Sequence, residues 1–221
     1  MIYEDFYREF FPFYESLSSD EKALLCENTT SERFERSESL HDSTECSGVF
    51  IVRQGRLRVY MLSEDGREIT LYRLAKGDVC MLSASCVLQS ITFDVYLDAE
   101  EPSECYRISP SAFRELTQTR PEVKIFALEM AVTRFSDVMW VMQQVVFMRQ
   151  DQRLAIFLLD EAAAGGSDTV TLTHEMIARH LGTAREVVTR LLKHLASDGA
   201  IEVTRRGITL LDKKKLRALT R

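Results

Sequence analysis

No apolar run in this 221-residue chain approaches the roughly 20 residues that a membrane-spanning helix needs, so a soluble protein is expected. The N-terminus, Met1-Ile2-Tyr3-Glu4-Asp5-Phe6, is acidic from the start and puts no basic segment ahead of an apolar one, so no secretory signal is expected. Cysteine is sparse and odd in number. Cys26, Cys46, Cys80, Cys86 and Cys105 show no close pairing, which fits reduced thiols in a cytoplasm better than a disulfide framework. Histidine is scarcer, with only His41 ahead of His174, and no nucleophile–base constellation stands out. Neither an enzyme nor a metal site is expected.

A net charge of −6 argues against nucleic acid if evenly spread, and it is not. From Arg149 onward 13 Lys and Arg face 9 Asp and Glu, whereas residues 1–148 hold 15 against 25. A basic C-terminal third on an acidic body is the footprint of a DNA-reading module carried by a sensor or scaffold.

Ser18-Ser19-Asp20-Glu21 has the capping-box spacing that starts a short packing helix. From about Ser31 the period turns alternating. Val49–Val52, Leu57–Met61, Ile69–Leu74, Val79–Leu82, Ser90–Leu97 and Glu104–Ile108 read as strands separated by Gln54-Gly55, Asp65-Gly66 and Lys76-Gly77-Asp78. Many short strands with turn residues between them predict an antiparallel roll or jelly roll. Ser109-Pro110-Ser111 opens a short helix. Pro121 opens a long one to about Arg149, on which Leu128, Ala131, Phe135, Val138, Met142 and Val145 form an a/d seam. That seam predicts a dimer stalk; a single buried core helix is the competing reading. Val123, Phe126, Met130 and Trp140 need burial elsewhere, against the roll.

The last third carries the sharpest pattern. After a helix from Arg153 to Ala164 ended by Gly165-Gly166, Thr173 can cap a helix through His180, and Leu181-Gly182-Thr183 reads as a tight turn. A second helix follows, with Val187, Val188, Leu191, Leu192 and Leu195 at core spacing and Glu186, Thr189, Arg190 and Lys193 opposite. Thr183 and Glu186 have capping-box spacing, so Glu186 is either a cap or a base reader, or both. Ile201–Thr204, Arg205-Arg206-Gly207 and Ile208–Leu211 then read as a hairpin with a basic tip, placed to meet phosphates. The expected DNA-binding set is Thr173, Thr183, Arg185, Glu186, Thr189, Arg190, Lys193, Arg205 and Arg206.

With these residues in place the chain resembles the CRP/FNR family of bacterial transcription regulators over nearly its whole length. Gly48-x-Phe50-Ile51-Val52-x-x-Gly55-x-Leu57-x-Val59-Tyr60, then Asp65-Gly66-Arg67-Glu68 and Gly77-Asp78, look like its cyclic-nucleotide-binding-type β-roll, and Arg185-Glu186-x-Val188-x-Arg190 like its recognition motif. The resemblance implies an α+β chain: an antiparallel β-roll sensor over 1–120, a dimerisation helix over 121–149 and a winged helix-turn-helix over 150–221. It implies that Arg185 and Arg190 pair with guanines, Glu186 with a cytosine amino group, and Thr189 with a further base. The implied partners are double-stranded DNA with a two-fold operator, a second copy of the chain, and RNA polymerase.

The effector pocket departs from the family. Cyclic-nucleotide members carry a Gly-Glu pair and an Arg followed by Ser or Thr for the cyclic phosphate. Here Met81-Leu82 replaces the pair, and no Lys or Arg lies between Lys76 and Arg107, while Asp78, Asp94, Asp98, Glu100, Glu101 and Glu104 do. A phosphate would lose its charge-assisted partner. The family's hydroxyl pair on the long helix is replaced by Val138 and Met139. A pocket of Met81, Leu82, Cys86, Phe93, Val138 and Met139 suits an uncharged or hydrophobic effector, or none, and not cyclic AMP. Cys80 and Cys86 are redox candidates or buried packing residues. The competing function is a non-catalytic ligand or redox sensor whose output is protein contact.

Overall fold

A computed structural model describes residues 3–41, 47–80 and 94–220. The chain divides into two compact units, Met1–Met61 with Leu71–Val138, and Leu62–Thr70 with Met139–Arg221. The division falls inside the long helix.

The first unit opens with α1 (Glu4–Phe10), a 3-10 turn (Tyr14–Ser16) and α2 (Ser19–Glu27). Strands β1 (Thr29–Phe34), β2 (Ser39–His41), β3 (Val49–Gln54), β4 (Leu57–Leu62), β5 (Glu68–Leu74), β6 (Val79–Cys80), β7 (Tyr96–Ala99) and β8 (Ser103–Ile108) follow. They form two four-stranded sheets, ordered β1-β8-β3-β6 and β2-β7-β4-β5. Then come α3 (Pro110–Thr119) and α4 (Pro121–Phe147). Ser109 caps α3 with Pro110 at its first position, as the sequence predicts.

The period-two rule explains why β3 is apolar at four successive positions. Val49 and Ile51 pack into an aromatic cluster with Tyr7, Phe11, Tyr14, Phe113 and Phe126, whereas Phe50 and Val52 join Leu57, Val59, Leu74 and Leu97 in a second core. Alternate side chains of one strand thus leave on opposite faces, and both faces are covered. Val79 and Cys80 divide the same way, as do Tyr106 and Cys105. Of the run expected from Ser90, residues 90–93 lie outside the described residues and the described strand begins at Tyr96; β1 and β2 were not singled out by alternation.

On α4 the faces sort differently from the expected seam. Val123 and Phe126 are buried against the aromatic cluster and Met130 packs on it, as expected, but Trp140 is exposed. Val138 packs against the second core and Ala131 is half-buried. Among the apolar residues left exposed are Ile125, Leu128, Val132, Phe135, Met139, Met142 and Val146. Their steps of three and four form an a/d stripe that shares Leu128, Phe135 and Met142 with the predicted one. Val145 is exposed beside it. The predicted register was ambiguous because α4 is apolar on two faces; contact with the roll removes one.

The second unit holds the rest of α4, α5 (Gln150–Ala164), β9 (Thr169–Val170), α6 (His174–Leu181), α7 (Arg185–Ser197), β10 (Ile201–Thr204), β11 (Gly207–Leu210) and α8 (Lys213–Leu219). Leu154, Leu158, Ile177, Leu181, Val188, Leu192, Leu195, Ile208 and Leu216 form its core. The three-stranded sheet is ordered β10-β11-β9. Strand β9 and helix α8 were not anticipated. No described helix is long and apolar enough to cross a membrane.

The capping box at α2 is present: Ser18 Oγ accepts from the Glu21 amide and the Glu21 carboxylate accepts from the Ser18 amide. Glu21 also takes a bidentate contact from Arg120 at 2.6 and 2.7 Å, tying α2 to the end of α3. Arg120, then the Ser18 amide, hold the Glu21 carboxyl down at about 2. A depressed carboxyl contributes stability above the ordinary carboxylate range and loses it as pH falls through the folded value. Arg120→Ala is expected to lower stability near neutrality by a small amount, because solvent screens the pair. Thermal melts against pH should show that difference shrinking from about pH 4.5 to about 2.

Candidate nucleic-acid interface

Helix α6 starts where Thr173 accepts from the Met176 amide at 3.2 Å, the predicted cap. It ends at Gly182, whose φ of 63° and ψ of 40° lie in the left-handed region. The Thr183 amide donates back to the Ala178 carbonyl at 3.1 Å, closing a Schellman-type stop. A Cβ at Gly182 would also press on Ile69, so both backbone angle and space require glycine. Buried Arg153 donates to the Leu181 carbonyl at 2.6 Å, satisfying one of the α6 terminal acceptors.

The predicted capping box at α7 does not form. The N-cap is Ala184, with no side-chain cap bond, and the helix begins at Arg185. The left-handed stop at Gly182 leaves both Thr183 and Ala184 to the turn. Glu186 therefore sits one position too early to act as the cap's carboxylate. Its place in the first turn suits the helix dipole, and among the described residues it has no hydrogen bond or ion pair.

Val188, Leu192 and Leu195 of α7 are buried and Val187 and Leu191 half-buried, as their spacing predicts. Arg185, Glu186, Arg190 and Lys193 are exposed. The β10–β11 hairpin turns through Arg205-Arg206, with Thr204 opposite Gly207 in the register. A groove of about 540 Å³ lies between helix and hairpin, lined by Thr173, His174, Arg185, Val203, Arg205 and Arg206, among others. Elsewhere many arginines are engaged: Arg149 with Asp151 at 2.9 Å, Arg120 with Glu21, Arg107 with Glu32 at 2.7 Å. Among the described residues Arg185, Arg190, Lys193, Arg205 and Arg206 take part in no ion pair. Three of these cations, Arg185, Arg205 and Arg206, line the groove, and Arg190, Lys193 and the Glu186 carboxylate are exposed on the same helix as Arg185. Such an array offers phosphates charge partners and base edges both donors and an acceptor. Thr183 belongs to the turn; Thr189, half-buried, is tied by a hydrogen bond to His174 at the start of α6.

Of the predicted effector-pocket residues, Met81, Leu82, Cys86 and Phe93 lie outside the described residues. Val138 packs on the roll core and Met139 lies on the exposed α4 stripe. Four of the six acids counted against an anion are themselves engaged: Asp78 with Arg134 at 3.0 Å, Asp98 with Arg58 at 3.5 Å, Glu100 with Arg73 at 2.9 Å, Glu104 with Arg53 at 2.6 Å. Counting charges within one segment misses partners that other strands and α4 bring. Arg134 is the largest such omission. It is buried, bonds Asp137 as well as Asp78 at 3.0 Å, and lies 4.9 Å from the Tyr72 ring centroid. Burial disfavours its charge, but Asp137 and Asp78 outweigh that and raise its pKa. Among the described residues its Nε and the Tyr72 hydroxyl are buried without hydrogen-bond partners, and burial pushes the Tyr72 phenol up. Its sequence signal was a charge inside an apolar helix with an acid three residues on. Cys80 is fully buried, and burial pushes the Cys105 thiol up to about 12, so Cys105 is no ready thiolate.

Comparison with known proteins agrees with this geometry. Residues 32–120 match the cyclic nucleotide-binding domain and residues 152–219 the Crp-like helix-turn-helix domain. The chain superposes with a TM-score of 0.91 on a crp/fnr-family transcriptional regulator from Eubacterium rectale, at 38% identity over 96% of this chain and 99% of that one. It is 25% identical to the transcriptional regulator flp of Lacticaseibacillus casei over 91% of this chain and 92% of that protein. It is 29% identical to the transcriptional regulatory protein btr of Bordetella pertussis over 85% and 79%. A β-roll sensor fold, a long helix with an exposed a/d stripe and a winged helix-turn-helix with free cations on its groove together place this chain in the CRP/FNR family of DNA-binding transcription regulators.

Proposed function

We propose that the chain acts in the cytoplasm as a homodimer that reads a two-fold operator, each copy inserting α7 into a major groove. Arg185, Glu186, Thr189 and Arg190 face base edges; Lys193, Arg205, Arg206 and Thr173 meet phosphates. The observation that carries this reading is the set of cations on α7 and the hairpin that take part in no ion pair among the described residues, three of which, Arg185, Arg205 and Arg206, line one open groove. The α4 stripe supports the dimer: Phe135 is 64% exposed and Val132 65%, and a row of such residues in water is unfavourable until a second helix covers it. Two-fold pairing sets two α7 helices about one DNA turn, roughly 34 Å, apart. RNA polymerase is the further partner that family membership implies.

The effector, on this reading, is not a cyclic nucleotide. Met81-Leu82 replaces the family's Gly-Glu pair, and Arg134, the cation that α4 brings near the roll, already answers to two carboxylates. A state of the roll that repacks α4 would alter the spacing of the two α7 helices, a population shift between binding-competent and incompetent dimers.

Three measurements test the proposal. Arg190→Ala is expected to weaken the cognate duplex by roughly 1–3 kcal/mol and to relax one base position; an equal loss on every sequence would make Arg190 a phosphate contact instead. Phe135→Glu is expected to sediment as a monomer in ultracentrifugation where the parent is a dimer, and a retained dimer moves the interface off the stripe. Cyclic AMP is expected to leave both melting temperature and duplex affinity unchanged, and a clear rise in either returns the roll to nucleotide binding.

A further inference from the structure

His174, at the start of α6, places Nδ1 2.9 Å from the Thr189 hydroxyl oxygen one turn into α7. The same oxygen lies 2.9 Å from the Arg185 carbonyl, four residues back. A hydroxyl has one proton, and a carbonyl can only accept. The Thr189 proton therefore goes to Arg185, and the hydrogen on the other contact must come from His174 Nδ1. Two bonds from different directions hold Oγ1 toward α6 and the helix backbone. With Cβ staggered, the methyl occupies another of the remaining positions. Thr189 is only half-buried, while His174 also lines the groove beside the free cations.

We infer that His174 is a positioning residue for sequence reading: by fixing the Thr189 hydroxyl inside the α6–α7 seam, it makes the threonine present its methyl, and so select thymine, at one base pair of the half-site. The inference rests on the DNA-reading function proposed above. The physical basis is that thymine alone carries a C5 methyl in the major groove, against which a threonine methyl makes apolar contact. A hydroxyl already donating and accepting offers a base edge much less than a free one does.

The test is selection of the full-length protein on a random duplex library, followed by affinities for the four bases at the pair that responds to Thr189. Thr189→Val keeps a methyl and removes the hydroxyl; the thymine preference is expected to persist. Thr189→Ser keeps both hydrogen bonds and removes the methyl, and the preference is expected to fall about fourfold, the factor one buried methyl supplies. His174→Ala is expected to relax the same base pair, whereas His174→Asn, whose amide NH2 takes the place of Nδ1–H, retains it. A preference that survives Thr189→Ser but not Thr189→Val assigns base reading to the hydroxyl and overturns the inference. So does a His174→Ala protein, folded by thermal melt, that loses affinity equally on all four bases. If His174→Ala does not fold, His174→Asn and the two Thr189 variants decide the matter alone. A selected consensus with no thymine position sensitive to Thr189 overturns this inference only; no consensus at all from the parent protein removes the DNA-reading function and this inference with it.

Discussion

An arginine engaged by a carboxylate inside its own fold is poorly placed to hold a phosphate outside it, and this constraint divides the molecule. In the roll, Arg53, Arg58, Arg73, Arg107, Arg120 and Arg134 each lie against an acid. Exposed members of such pairs contribute little to stability. Buried Arg134 is different, because without its two carboxylates it would be a desolvated, uncompensated charge. On α7 and the β10–β11 hairpin the arginines have no internal acid among the described residues. Their charge is left for something outside, and the groove that Arg185, Arg205 and Arg206 line is where a polyanion can approach.

That division also explains how a chain of net charge −6 carries a DNA-reading surface. The acidic excess sits in the roll, much of it neutralised pairwise. Repulsion of DNA by the whole molecule is a long-range term that salt screens over about 10 Å at 0.1 M, whereas contacts at the groove are made at hydrogen-bond distance. The short-range term decides the outcome at the interface, and the long-range one affects the approach.

The α6–α7 region shows how local backbone geometry sets what each side chain is free to do. Gly182 stops α6 in a left-handed turn, which moves the start of α7 to Arg185 and leaves Ala184 as its cap. Glu186 is thereby relieved of a structural role, so a Glu186 substitution reports on DNA more cleanly than the capping-box spacing suggests. Thr189 moves the other way: it acquires two internal hydrogen bonds, and His174 gains a role that its position in the sequence does not suggest.

Periodicity was enough to read the strands, the long helix, the two-helix unit and the basic hairpin, because each buries one face and the spacing of apolar residues records it. The cations at Arg185, Arg190, Lys193, Arg205 and Arg206 were legible for the same reason, as the polar side of those patterns. What periodicity could not determine was which of several apolar faces meets which partner. On α4 both faces repeat at helical spacing, and only packing against the roll assigns Val138 inward and leaves Val132 and Met139 on the exposed stripe. Nor could spacing reveal the Arg134–Asp78 pair, 56 residues apart, or the His174–Thr189 bond. Burial patterns are written along the chain; hydrogen bonds and ion pairs between distant segments exist only once the fold has brought their atoms within about 3 Å.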